Sequence, residues 1–315
     1  MPGEEPRAPT RPEAERARRR RRKRRAQARR RRLALAVSLA AVAVAIYLLA
    51  GGTGDGDRAP RAGAVATAPR VSAQAPRRPD RRAREAAEIR RLIAIGKPIY
   101  CAGHRSHELA LTFDDGPGPY THLVLDKLRK HRLSATFFIV GRNIPLVPGI
   151  TRRERAQGAV GDHTFTHPDL TTLGSSDAEA QIVRTQSALA RASGGPVSLF
   201  RPPYGAHDAT VDAIARSHHL LEILWNVDSA DSLGADYAQI ERNVIAGLRP
   251  GAIILMHENR GQTVRALLAI FAALQRKHLH AVSVPQLLAD DPPGPAQIRA
   301  GGRGCGIGSR APGAG

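Results

Sequence analysis

The sequence predicts an α/β fold built on a parallel sheet or barrel, and three observations indicate it. Seven short apolar runs are typical of buried strands. Amphipathic helical patterns alternate with them. Polar residues directly follow several of the runs, where parallel strands bring their carboxyl ends together. The predicted strands are Leu109–Phe113, Ala135–Val140, Ala159–Gly161, Ser198–Phe200, Glu222–Val227, Ala252–Met256 and Ala281–Val284. The predicted helices are Thr121–His131, Ala178–Ala192, Ala209–His219, Tyr237–Leu248 and Thr263–Lys277.

Most of the net charge of +20 lies in the first third of the 315-residue chain. Residues 1–32 carry 15 Arg or Lys against four Asp or Glu, whereas residues 98–315 carry a net charge of only +3. Residues 33–50 contain neither a charge nor a proline, and as a helix they would span about 27 Å, close to the thickness of a bilayer. We expect a single-pass transmembrane helix here.

The positive-inside rule places the basic residues 1–32 in the cytoplasm and everything after Gly51 on the extracytoplasmic side of the cell membrane. The alternative is a signal peptide whose cleavage releases a secreted protein. The basic run could instead bind nucleic acid. Control of topology and contact with anionic lipid explain it more simply beside an apolar span, so nucleic acid is the less favoured partner. The sequence does not define the oligomeric state.

Composition divides the rest of the chain. Residues 51–97 are rich in Gly, Ala, Pro and Arg and predict a flexible linker, in which Arg82–Ile95 has the pattern of a short helix. The folded domain is expected over residues 98–290, and residues 291–315 are predicted to be an irregular tail. The only two cysteines, Cys101 and Cys305, lie at the two ends of this region. They can form one disulfide in an oxidising compartment, or remain two free thiols.

Two clusters contain residues that can bind a metal. Asp114 and Asp115 follow the first strand, and adjacent carboxylates repel each other unless a cation compensates them. Alone, this stretch also suits a polar turn. His163 and His167 are four residues apart and can share one face of a helical turn, which is a common chelating arrangement. A pair of surface histidines is the alternative. Together the clusters supply two histidines and a carboxylate, which suit a catalytic zinc.

Three further strand ends carry candidate polar groups. Arg201, followed by two prolines, Tyr204 and Gly205, can hold a carboxylate by two hydrogen bonds or belong to a structural turn. Asp228 and Asp231 follow Trp225 at another strand end. His257 ends an apolar run, a natural position for a general acid, although a lone histidine there is more often a packed core residue.

These segments, in this order, resemble the polysaccharide deacetylase family, the NodB-type carbohydrate esterases of family 4. The resemblance covers about residues 107–288. The family's T-F-D-D-G-P is present at 112–117, H-[ST]-x-x-H at 163–167, R-P-P-Y-G at 201–205 and L-x-H at 255–257. Its D-x-x-D-W is matched in part at 228–231, with Ser232 in place of the tryptophan. The resemblance implies a distorted (β/α)7 barrel, here preceded by one N-terminal transmembrane helix.

The resemblance also implies a role for each matched residue. Asp115, His163 and His167 would bind a divalent metal, usually Zn²⁺. Asp114 would be the general base, oriented by Arg201. His257 would be the general acid, with its charge tuned by Asp231, and the Tyr204 backbone N–H would bind the oxyanion. Pro202 and Tyr204 would contact the substrate, and Leu255 would line the pocket for the acetyl methyl. Trp225, outside the motifs, would partly replace the aromatic wall lost at Ser232.

The expected function is metal-dependent removal of N-acetyl groups from an acetylated cell-wall polysaccharide, with N-acetylglucosamine of peptidoglycan as the first candidate. The alternatives are chitin-like oligomers, N-acetylmuramic acid, acetylated xylan, and a wall-binding module without catalysis. The histidines that match no motif are interpreted as surface or packing residues. They are His104, His107, His122, His207, His218, His219, His278 and His280.

Overall fold

The computed structural model describes residues 80–306. The predicted cytoplasmic tail, the predicted transmembrane helix, residues 51–79 of the linker and the last nine residues lie outside this range. Within it, none of the helices combines the length and apolar character that crossing a membrane requires.

The centre of the fold is one curled sheet of eight strands, and every strand pair in it is parallel. The strand order is β5-β4-β3-β2-β1-β7-β6, and β8 pairs with the beginning of β1. The strands are β1 (Glu108–Gly116), β2 (Ala135–Ile139), β3 (Gly158–Asp162), β4 (Leu199–Phe200), β5 (Leu221–Glu222), β6 (Val227–Asp228), β7 (Ile253–His257) and β8 (His280–Val282).

Nine α-helices surround or cap this sheet in the described range. They are α1 (Arg81–Ile95), α2 (Thr121–His131), α3 (Ile150–Gln157), α4 (Ser175–Ser193), α5 (Ala209–Ser217), α6 (Tyr237–Gly247), α7 (Gly261–Arg276), α8 (Val284–Asp290) and α9 (Pro295–Ala300). The five helices predicted between the strands are all present, with ends within a few residues of those expected. The additional helices are short and follow Gly-, Pro- or Ser-containing turns.

Alternation along β1 decides which side chains face the site. Leu109, Leu111 and Phe113 belong to the large apolar cluster formed with the outer helices. Ala110 belongs to a second cluster on the concave side. Because successive side chains of a strand point to opposite faces, Thr112 and Asp114 lie on the concave side with Ala110. The apolar burial on both faces explains why β1 reads as a nearly continuous hydrophobic run.

The sheet is an α/β half-barrel, and its strand count differs from the seven expected. The run predicted as one strand, 222–227, forms two short strands that pair with opposite ends of the sheet, β5 with β4 and β6 with β7. The residues between β5 and β6 connect these two edges of the sheet. There the Leu224 N–H donates to the Ile99 carbonyl, and the carbonyls of Ile223 and Leu224 accept from the Arg201 side chain. Backbone hydrogen bonds with Ile99 and side-chain hydrogen bonds from Arg201 therefore take the place of a regular strand ladder, which the apolar pattern could not indicate.

The folded region extends beyond both predicted domain boundaries. Helix α1 lies within the predicted linker, is capped by the Asp80 carboxylate, and buries Ile89 and Leu92 in the concave apolar cluster. The domain therefore begins by residue 80 and not at 98. At the other end, the predicted irregular tail is wrong for residues 295–305, which form α9 and a 3₁₀ turn. The Cys101–Cys305 disulfide fastens this turn to the barrel.

Candidate active site

The candidate residues meet at the carboxyl edge of the half-barrel. Asp114 and Asp115 end β1, His163 follows β3, Arg201 follows β4, and His257 ends β7. Strands β1 and β7 are neighbours in which Asp114 is paired in register with His257. Parallel strands bring their carboxyl ends to one edge, so residues far apart in the sequence share one site.

Asp115, His163 and His167 form a cluster whose ligand atoms all lie within 4.8 Å of one another. Asp115 Oδ1 is 3.3 Å from His167 Nε2 and 3.7 Å from His163 Nε2. His163 Nδ1 donates to the Arg201 carbonyl at 2.7 Å, which leaves Nε2 as the free nitrogen. A hydrogen bond from the other ring nitrogen fixes the tautomer of a metal-binding histidine. Burial, followed by the nearby His163, lowers the pKa of His167 and favours its neutral, ligating form.

This donor set fits a divalent metal. Two imidazole nitrogens and one carboxylate are three protein ligands of the kind that catalytic zinc sites use. Asp115 and His167 hold left-handed backbone conformations, with φ of 68° and 65°. Residues in this sparsely populated region are frequent at active sites and ligand-binding sites.

The histidine pair is not on a helical turn, contrary to the prediction. The segment after β3 is a loop, with Thr164 also left-handed at a φ of 63°. Gln181 on α4 holds it by accepting hydrogen bonds from the N–H groups of Phe165 and Thr166, at 3.0 and 2.8 Å. The four-residue spacing is therefore achieved by a loop braced from a distant helix.

Asp114 is buried beside the metal-binding cluster and is held by Arg201. Its Oδ1 accepts from Arg201 Nη1 at 2.8 Å, and its Oδ2 lies 3.7 Å from His163 Nε2. Arg201 is fully buried. A buried carboxylate is tolerated only with a partner of this kind, because desolvation of an unpaired charge is costly.

Arg201 does not form the predicted pair of hydrogen bonds with one carboxylate. It gives Asp114 one bond and distributes the others to the Thr112 hydroxyl and to the carbonyls of Ile223 and Leu224. Its guanidinium lies 4.1 Å from the centroid of the Phe138 ring. Burial lowers the pKa of Arg201, and the Asp114 charge opposes that shift. Arg201 therefore connects Asp114, the candidate base, to the segment between β5 and β6.

His257 and Asp231 form a tight buried pair. Asp231 Oδ1 is 2.7 Å from His257 Nδ1, and Asp231 Oδ2 accepts from the His257 backbone N–H and from the Thr263 hydroxyl. Burial alone would lower the pKa of His257, but the Asp231 hydrogen bond and charge outweigh it and raise the pKa to about 9. In the absence of a cation nearby, His257 is therefore protonated at neutral pH.

The candidate substrate-binding residues differ in how much surface they offer. Tyr204 is 61% exposed, has a φ of 62°, and its ring lies 4.8 Å from that of His167. Pro202 and Leu255 are buried. Trp225 is only 7% exposed and lies in the concave apolar cluster, 5.5 Å from the Arg201 guanidinium. Trp225 therefore offers little surface as a replacement for the aromatic wall missing at the exposed Ser232.

Several residues that support the site did not stand out in the sequence. Thr112 shares the concave face with Asp114, so the two-residue period of β1 was the signal that could have found it. Thr263 and Gln181 act through contacts 32 and 15 residues away, for which the sequence offers no local signal. Asn259 donates to Asp115 Oδ2 at 3.3 Å, two residues beyond His257.

Comparison with known proteins agrees with this arrangement. The profile of the family described as polysaccharide deacetylase matches residues 103–222. A peptidoglycan-N-acetylglucosamine deacetylase of Bacillus cereus is 35% identical over 186 residues, which cover 57% of this chain and 68% of the relative. A chitooligosaccharide deacetylase of Rhizobium leguminosarum bv. trifolii is 36% identical over 205 residues, which cover 60% of this chain and 95% of the relative.

The chain belongs to the polysaccharide deacetylase family. Among solved structures, a family 4 carbohydrate esterase from Streptomyces lividans, determined in complex with acetate, is 38% identical with a TM-score of 0.53. The match covers 57% of this chain and 92% of that one. As a polysaccharide deacetylase, the protein is a hydrolase that removes acetyl groups from carbohydrate, and the family uses a divalent metal.

Proposed function

We propose that this polysaccharide deacetylase hydrolyses the N-acetyl group of N-acetylglucosamine in peptidoglycan, with Zn²⁺ bound by Asp115, His163 and His167. One observation carries the proposal. Asp114 held by Arg201, and His257 held by Asp231, end neighbouring strands in register beside the three ligating side chains. A base and an acid thus lie close together at one metal-binding cluster, as hydrolysis of an amide requires.

Asp114 is assigned as the general base. It lies on the concave face with one oxygen fixed by Arg201 and the other directed toward His163. It would accept a proton from the water that attacks the acetyl carbonyl, so that a C–O bond forms. Arg201 holds the carboxylate in one orientation through the hydrogen bond from Nη1 to Oδ1. A bound divalent metal supplies Lewis-acid activation of the water and the carbonyl.

His257 is assigned as the general acid. Asp231 fixes its ring through Nδ1, which leaves Nε2 as the nitrogen that can deliver a proton. That proton passes to the leaving amine as the C–N bond breaks and acetate is released. The Tyr204 N–H is assigned to the oxyanion, a donor type whose removal typically costs about 3–4 kcal/mol in the barrier.

The choice of peptidoglycan rests on the Bacillus cereus relative and on the predicted N-terminal anchor. We propose that residues 33–50 hold the protein in the cell membrane, with the catalytic domain on the extracytoplasmic side near the wall. Secretion after cleavage is the alternative. Protease treatment of intact cells and the mass of the mature protein distinguish anchoring from secretion. Only the anchored form retains residues 1–32, and it holds them in the cytoplasm, where the protease does not reach them.

The test is acetate release by the purified full-length protein from peptidoglycan, after removal of metal and with or without added Zn²⁺. Asp114→Asn and His163→Ala should abolish release, whereas His122→Ala, on the exposed face of α2, should retain it. Release from chitooligosaccharide but not from peptidoglycan would favour the activity named for the Rhizobium relative. N-acetylmuramic acid and acetylated xylan are compared in parallel. No release from any substrate would overturn the enzymatic assignment.

A further inference from the structure

A second cluster of potential metal ligands lies outside the active site. His207 follows the turn that contains Tyr204, Asp212 is in the first turn of α5, and Glu222 ends β5. His207 Nδ1 is 2.9 Å from Asp212 Oδ1 and 3.7 Å from Glu222 Oε1. One ligand atom from each of the three lies within 4.8 Å of the others. The cluster shares no residue with the Asp115–His163–His167 group.

The buried carboxyl group of Glu222 indicates that a cation binds here. Its side chain is only 5% exposed, and neither carboxylate oxygen has a hydrogen-bond partner among residues 80–306. A buried carboxyl group without a partner costs free energy that a bound cation would remove.

No arginine or lysine of the described part of the chain supplies that cation. His207 is the only basic side chain within ion-pair distance of Asp212 or Glu222 there. His207 Nδ1 lies within hydrogen-bond distance of Asp212, at 2.9 Å, whereas Glu222 Oε1 is 3.7 Å from the same nitrogen. His207 therefore pairs with only one of the two carboxylates.

Tyr100 contacts the His207 ring at Nε2, the nitrogen that does not face the two carboxylates. The Tyr100 hydroxyl is 3.3 Å from His207 Nε2. If Nε2 carries the proton and donates to Tyr100, the lone pair on Nδ1 faces the two carboxylates. Such a hydrogen bond from the distal nitrogen is the usual companion of a ligating imidazole. A small surface cavity is also lined in part by Asp212 and Glu222.

We propose that His207 Nδ1, Asp212 and Glu222 bind a second divalent ion of the zinc type. One imidazole and two carboxylates match the ligand preferences of Zn²⁺, with water completing the coordination. The ion would join β5 and α5 to the segment that follows Tyr204. Its role is structural, since these side chains contain no base or acid of the proposed reaction. The proposal is independent of which glycan the active site takes.

The experiment measures zinc per chain in the tag-free, full-length protein, stripped with a chelator, reloaded with Zn²⁺ and dialysed. We expect about two equivalents in the wild type, about one in Glu222→Gln and in His207→Ala, and about one in His163→Ala. The Glu222→Gln side chain has nearly the same size as the original, so it guards against loss of binding through misfolding. His122→Ala is the matched control and should retain both equivalents.

Thermal unfolding provides the second readout. Added Zn²⁺ should raise the Tm of His163→Ala, and this rise should disappear in His163→Ala combined with Glu222→Gln. Equal zinc content in wild type and Glu222→Gln, or a His163→Ala protein that binds no zinc, would overturn the second site. Acetate release is expected to persist in Glu222→Gln, so failure of the proposed activity and failure of this site give different results.

Discussion

The Asp231 carboxylate holds His257 at two points, with Oδ1 2.7 Å from the ring Nδ1 and Oδ2 2.7 Å from the backbone N–H. The first contact stabilises the protonated ring, and the second fixes the strand end from which the ring projects. Neither oxygen is left for solvent, because the Thr263 hydroxyl also donates to Oδ2. The relationship links the charge of His257 to its position.

Asp231→Asn should lower the pKa of His257 from about 9 toward the ordinary value of about 6.5. The measurement is NMR titration of the metal-free protein. A bound divalent cation opposes protonation, so the metal-loaded enzyme should lose its acid at a lower pH than the metal-free value. The general acid must be protonated, and hence the alkaline limb of kcat should move to lower pH in Asp231→Asn. An unchanged limb would assign the acid to another group.

The same pair makes stability depend on pH in a defined direction. The folded pKa of His257 lies above its unfolded value of about 6.5, so the stabilisation is complete below pH 6.5. It should be lost as the pH rises through about 9. In the metal-free protein, the difference in unfolding free energy between wild type and Asp231→Asn should therefore shrink between these limits. Denaturant unfolding at pH 6 and pH 9.5 measures it.

Arg201→Met should lower both stability and activity. It leaves the Asp114 carboxylate buried without its partner and removes the donors to Ile223 and Leu224, and loss of one member of a buried pair typically costs about 3–5 kcal/mol. Arg191→Met, at an exposed position of α4, should cost little. Urea unfolding measures both. Adding Asp114→Asn to Arg201→Met should recover part of the lost stability but no activity. If the losses of unfolding free energy of the two single variants simply added in the double variant, Arg201 and Asp114 would not be coupled.

The sequence predicted the elements whose signals are local. Strands β1 and β7 have apolar runs that end in Asp114 and His257, and α2 begins and ends where its periodicity indicates. The polar residues at those ends indicated candidate groups for catalysis, and the family resemblance implied which of them would be ligand, base and acid. The loop conformation of His163–His167 was missed, because left-handed φ angles at Thr164 and His167 depend on Gln181 and have no signature in the motif itself.

Long-range contacts account for the other differences. Whether 222–227 forms one strand or two depends on where Arg201 finds carbonyl partners 22 and 23 residues away. The contact between His207 and Tyr100, 107 residues apart, likewise has no signal in the sequence. Composition made residues 295–305 look irregular, although the disulfide and the buried Ile298 hold them against the domain.

Gln181→Ala should weaken metal binding without removing a ligand. Gln181 fixes the loop between His163 and His167 through two backbone N–H groups, and loss of such outer-shell support typically lowers metal affinity about 10- to 100-fold. Competition with a chromophoric chelator measures the Zn²⁺ Kd in the Glu222→Gln background, where the proposed second site is absent. Gln186→Ala, on the same helix but bonded to the His218 carbonyl, is the control and should leave the Kd unchanged.

Removing the Cys101–Cys305 disulfide should destabilise the domain. The bond closes a separation of 204 residues and secures the final 3₁₀ turn, where the Cys305 carbonyl accepts from Asn226 and Arg249. Loss of a native disulfide typically costs about 2–5 kcal/mol. The Tm of the wild type should therefore fall in reducing buffer. The double variant Cys101→Ser, Cys305→Ser should have that same lower Tm in both oxidising and reducing buffer. Because neither cysteine belongs to the active site, acetate release below the new Tm should persist, and its loss there would mean that the C-terminal turn also shapes the catalytic edge.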